Sequence, residues 1–155
     1  MLKILSRKNR LMTETGRVKL PSFVYSLELT NIPKKSAWSK VKQSLLIESF
    51  LVNIPVPGVI LYESGYEKYE IIDGKERIIS LIKFYNNKLK LTELSYLWEL
   101  NGFKYNNIDA KVRDLIDNRY IRTTMIIIDS SASLDEAESL KQLAINHYGN
   151  SSKLT

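Results

Sequence analysis

Between Tyr69 and Tyr85 the apolar pattern changes period with no linker in between. Tyr69-Glu70-Ile71-Ile72 reads as a strand, whereas Ile78, Ile79, Leu81, Ile82 and Tyr85 recur at helical spacing. Only Asp73-Gly74 and the first helical turn separate the two runs. A chain of this kind must join a sheet strand directly to a packed helix. The rest of the sequence follows the same mixed order and predicts an α+β domain built on a small mixed sheet. Phe23 to Leu29 alternates as a strand does. Ser39 is placed to cap a helix running to about Asn53, which Pro55 and Pro57 stop. Val59 to Tyr62 and Tyr69 to Ile72 predict a hairpin. Asn101-Gly102 predicts a second hairpin, between Leu97–Leu100 and Phe103–Tyr105. A short helix over Ala110–Asp117, a strand over Tyr120–Ile128 and a helix from the capping box Ser133-Leu134-Asp135-Glu136 to about Asn146 complete the reading.

Composition removes several kinds of chemistry. The 155 residues contain no cysteine and one histidine, His147. Disulfides, thiolate zinc sites, cysteine nucleophiles and histidine-rich metal sites are therefore excluded, and no metal site is expected from the protein alone. No apolar run approaches the roughly 18 to 20 residues of a membrane span. The first residues lack the apolar core of a signal peptide, so a cytoplasmic protein with no membrane partner is expected.

Charge is uneven. The net +6 divides into +8 on residues 1–45 and −2 on the remainder. A basic arm over residues 1–22 ahead of a single domain over 23–155 is the expected division. Within the basic first 45 residues, Lys3, Arg7, Lys8, Arg10, Lys34 and Lys35 are the candidate contacts to nucleic acid or to a partner protein. A solvated tail that only aids solubility is the competing reading.

The stretch with most chemical content is Asp73-Gly74-Lys75-Glu76-Arg77. The first-turn amides of the helix it opens have no acceptors within the helix, and with the helix dipole they make an anion site. Gly74 permits close approach of a phosphate. Arg77, one turn on, has the planar fork that suits one. Asp73 either holds a metal ion, orients a water, or simply caps the helix. Trp38 and Trp98 are expected in packing rather than in base stacking.

Three blocks, in order, resemble the N-terminal domain of GmrSD-type modification-dependent restriction proteins, a prokaryotic family of ParB/sulfiredoxin-like fold. The first runs from Trp38 to Pro57 and ends Ile54-Pro55-Val56-Pro57. The second is Ile72-Asp73-Gly74-Lys75-Glu76-Arg77-Ile78, similar to the family's D-G-Q-Q-R signature. The third is Leu143-Ala144-Ile145-Asn146-His147-Tyr148-Gly149, and the likeness runs on to Leu154. The resemblance implies a nucleotide- and DNA-associated module of a restriction, anti-phage or phage counter-defence system. It implies Asp73 and Arg77 as catalytic residues and Gly74, Lys75, Glu76 and Arg77 as the nucleotide site, with Asn146 as a further site residue. A nucleoside triphosphate with Mg2+ is the implied cofactor. DNA and another protein, a nuclease or defence component, are the implied partners. Nucleotide hydrolysis or DNA nicking would be the activity.

The chain also departs from that pattern. Lys75 and Glu76 replace the two glutamines, and Lys34 or Lys35 must stand in for an arginine expected before Trp38. The sequence stops where the family continues into a His-Asn nuclease domain. Glu76, if it faced the site, would repel a triphosphate. Two alternatives follow: a non-catalytic interaction protein that keeps the fold without turnover, and a plain DNA-binding protein whose affinity falls steeply with salt.

Overall fold

The computed structural model describes Ile4 and residues 10–149. Among the described residues it is an α+β arrangement of five strands and five helices. The elements in chain order are β1 (Leu11–Lys19), α1 (Leu20–Ser26), β2 (Glu28–Leu29), α2 (Lys40–Val52), β3 (Val59–Gly65), β4 (Lys68–Asp73), α3 (Lys75–Tyr85), α4 (Ala110–Asp117), β5 (Tyr120–Ile128) and α5 (Leu134–Gly149). Two short 3-10 turns, Trp98–Leu100 and Tyr105–Asn107, lie between α3 and α4. No helix among the described residues is long and apolar enough to cross a membrane.

The sheet is mixed, in the order β1-β5-β3-β4-β2. β3 and β4 form the expected hairpin. β5 runs antiparallel to β1 and parallel to β3. Alternation along the strands divides the two faces. Val59, Leu61, Ile71 and Ile121 point into the main core, together with Leu20 and Phe23 of α1, Ile47 and Phe50 of α2, Ile78, Leu81 and Phe84 of α3, and Ile116 of α4. Glu70 and Tyr62 point the other way, and α5 lies over them: Lys141 pairs with Glu70 at 2.7 Å and sits 5.5 Å from the Tyr62 ring centre.

The helices start and stop where local chemistry dictates. Ser39 caps α2 by accepting from the Lys42 amide, and Asn53 closes it in the left-handed conformation at φ 65°. Arg119 then takes the last carbonyls of α2, donating to those of Phe50 and Leu51 at 2.9 and 3.0 Å.

Four expectations are corrected. Residues 20–26 form a helix, not the start of a strand, and only Glu28–Leu29 is extended. Pro21 suits a first helical turn, and burial of Leu20 and Phe23 one turn apart outweighs the strand preference of Phe23-Val24-Tyr25. The boundary at residue 22 also fails, because residues 11–19 are a sheet strand and Leu20 is in the core. Finally, Asn101-Gly102 makes a turn but no hairpin. The Gly102 amide donates to the Leu91 carbonyl and the Asn101 side chain accepts from the Leu94 amide. These bonds fold the 89–105 segment on itself. Trp98 is left 64% exposed, so it is not the packed residue expected.

Candidate functional site

β4 delivers Asp73 to the end of the sheet, and Gly74 turns the chain into α3. Gly74 has φ 98°, a left-handed conformation that a side chain rarely adopts. A β-carbon there would also lie 2.6 Å from Val59 Cγ1 and 3.3 Å from Arg77 Nη2. Glycine is thus required twice over, by backbone and by packing. Because Gly74 occupies the cap position, no side chain caps α3. The Asp73 carboxylate is therefore not an N-cap. It turns to Arg77 instead.

Arg77 is 7% exposed. Its Nη2 donates to the Gly58 carbonyl at 2.8 Å and to Asp73 Oδ2 at 3.3 Å. The second contact is longer than a well-formed charged hydrogen bond. Among the described residues the buried Nε has no hydrogen-bond partner. Asp73, Gly74 and Arg77 are thus brought together as the sequence suggests. Gly58 is a site residue that sequence reasoning missed. Its signal was present: it follows Ile54-Pro55-Val56-Pro57 and immediately precedes a buried strand. A β-carbon on Gly58 would stand 2.5 Å from the Arg122 carbonyl oxygen, so β5 also demands glycine there.

Glu76 is engaged away from the candidate anion site. Its carboxylate accepts from the Ser36 hydroxyl, from the Ala37 amide at 2.9 Å and from the Trp38 amide at 3.3 Å. Burial alone would raise its pKa, but the hydrogen bonds from Ser36, Ala37 and Trp38 outweigh burial and hold it below its ordinary value. Asn31 ties the same connection to β4, its side chain accepting from the Ile71 amide at 2.7 Å and donating to the Ile71 carbonyl at 3.2 Å. The 31–38 segment is in this way anchored beside the first turn of α3. Lys34 and Lys35, both exposed, precede the anchored residues and so flank the motif. Lys75 is exposed at the first helical position.

The remaining candidates lie apart. Asn146 is exposed on α5 and accepts from Gln142 at 2.9 Å, and no hydrogen bond or ion pair among the described residues joins it to the motif. Arg10 stands next to β1, donating to Ser131 and lying 3.8 Å from Glu136. Lys3, Arg7 and Lys8 fall outside the described residues. Trp38 is partly buried against the core, with Lys42 Nζ 4.5 Å from its ring centre.

The family model of the GmrSD restriction endonuclease N-terminal domain matches residues 27–153. The chain belongs to this family. Its match takes in all three sequence blocks up to residue 153, including the Asp73-to-Arg77 motif, and begins after β1 and α1. No curated protein and no solved structure matches the chain. The GmrSD N-terminal domain reading thus rests on the family pattern together with the geometry of the strand–glycine–helix junction.

Proposed function

We propose that the chain is a nucleotide-binding, DNA-associated module of a restriction or counter-defence system, of ParB-like type, with its anion site at the start of α3. The observation that carries this reading is the Arg77 side chain. It is held beneath Gly74 at a helix N-terminus that no side chain caps, and its buried Nε has no hydrogen-bond partner among the described residues. A phosphate would answer both deficits, taking the first-turn amides, which have no acceptor within the helix, and the guanidinium. In this reading Arg77 and those amides bind phosphate oxygens, Lys75 adds a cation, and Asp73 is the group for a magnesium ion that shields the phosphate charge. The anchoring of Glu76 to Ser36, Ala37 and Trp38 supports it further, because that carboxylate is committed elsewhere. Lys34 and Lys35, with Lys3, Arg7, Lys8 and Arg10, supply the DNA contact.

Two observations favour the non-catalytic alternative. Asp73 and Arg77 already pair with each other, and the glutamines of the family signature are absent. A thermal-shift screen of nucleoside triphosphates, with and without magnesium, separates the two. At 100 times the dissociation constant a ligand stabilises by about 2.7 kcal/mol. A null across the panel leaves the interaction module.

A further inference from the structure

β1 pairs with β5 one residue to one from Leu11 to Lys19, with no register break. Two bonds at its ends show which backbone groups face β5. The Asp129 amide donates to the Arg10 carbonyl at 2.7 Å, and the Leu20 amide donates to the Arg119 carbonyl at 3.0 Å. Both pairs continue the β1–β5 register. In an antiparallel ladder bonded residues alternate, so the even-numbered residues of β1 bond β5. Thr13, Thr15 and Arg17 therefore direct N–H and C=O to the outer edge. No described strand pairs with that edge. At the opposite margin of the sheet, β2 is only two residues long, which is one way an edge is kept from pairing. β1 has neither that shortness, nor a proline, nor a bulge.

We propose that the outer edge of β1 pairs antiparallel with β1 of a second copy, about a two-fold axis through Thr15 and normal to the sheet. The result is one continuous ten-stranded sheet, twice the five strands of a single copy. Thr15 is the midpoint of the strand, so the whole length overlaps. Thr15 stands opposite Thr15 of the second copy, Thr13 opposite Arg17, and Leu11 opposite Lys19, all in hydrogen-bonded pairs. Between them Met12 meets Val18 and Glu14 meets Gly16. Every pair joins side chains of one face, as a continuous sheet requires. No like charges stand opposite each other, and Met12, 51% exposed, gains an apolar neighbour. Centring on Glu14 would set two carboxylates face to face. Centring on Gly16 would leave Met12 without a partner. Over its whole length the strand is thus self-complementary in one register, which argues for a second copy over a foreign strand.

The test uses the full chain. Sedimentation across a dilution series is expected to show twice the monomer mass at high concentration. Thr15→Pro removes an outward amide and no backbone bond to β5, losing only the exposed hydroxyl contact to Thr124 at 3.3 Å, so it is expected to yield a monomer with unchanged circular dichroism. Because the chain has no cysteine, Thr15→Cys places one thiol on the proposed axis. It is expected to form a covalent dimer on mild oxidation, whereas Thr13→Cys, opposite Arg17, is not. A wild-type chain that stays monomeric at every concentration overturns the proposal and leaves the edge to a foreign strand. So does a dimer that survives Thr15→Pro, or one that cross-links equally through residue 13.

Discussion

Arg77 Nη2 donates to the carbonyl oxygen of Gly58 at 2.8 Å, and this bond ties the first turn of α3 to the entrance of β3. The two residues are 19 apart in sequence. Arg77→Ala leaves a carbonyl and the Asp73 carboxylate without this partner. A loss of about 1–3 kcal/mol in urea unfolding is expected. Arg77→Lys keeps the charge but not the fork. It is expected to lose less stability while still failing to bind a phosphate in two-pronged fashion.

Gly74→Ala is expected to destabilise through two independent causes, the φ of 98° and the 2.6 Å approach to Val59 Cγ1. The backbone cost alone is about 1–3 kcal/mol. Urea midpoints of Gly74→Ala and Gly102→Ala compare the two causes. Gly102 has φ 90° but open space around it, so its substitution should cost the backbone share only.

Glu76→Gln weakens the anchor of the 36–38 segment. The Glu76 carboxylate is held below its ordinary pKa of 4.5, so its contribution to stability is present above that value. It is lost as pH falls through the lower folded-state value. The stability difference between wild type and Glu76→Gln should therefore be constant near neutrality and shrink below about pH 4.5. Unfolding curves at several pH values measure it. A difference that grows on acidification would contradict the assignment.

Glu48, buried on α2, accepts from the Ser95 hydroxyl and from the Tyr96 and Leu97 amides. It holds the irregular 89–105 segment against α2. Glu48→Ala is expected to cost about 1.5–3 kcal/mol. Amide exchange should quicken first at Tyr96 and Leu97.

The strand–glycine–helix junction was legible because it is local: a change of period, an acid and a glycine. The α2 helix was legible for the same reason, with Ser39 and Asn53 marking its ends. What escaped were features set by distant partners. The Gly58 carbonyl matters only because β3 starts beside α3. The orientation of Glu76 depends on Ser36, forty residues away in sequence. Phe23 to Leu29 alternates as a strand would, yet core burial of Leu20 and Phe23 makes its first half a helix. The bonds that hold the loop of Lys34 and Lys35, from Asn31 to Ile71 and from Ala37 to Glu76, also join residues about forty apart in sequence.

The central claim is that the start of α3 binds a nucleoside triphosphate. Calorimetric titration of wild type and Arg77→Lys with the triphosphate panel in magnesium tests it most directly. Saturable one-site binding by wild type is expected, weakened tenfold or more by Arg77→Lys while the fold persists. Absence of binding by wild type to every triphosphate, or equal affinity in a folded Arg77→Lys, would contradict it.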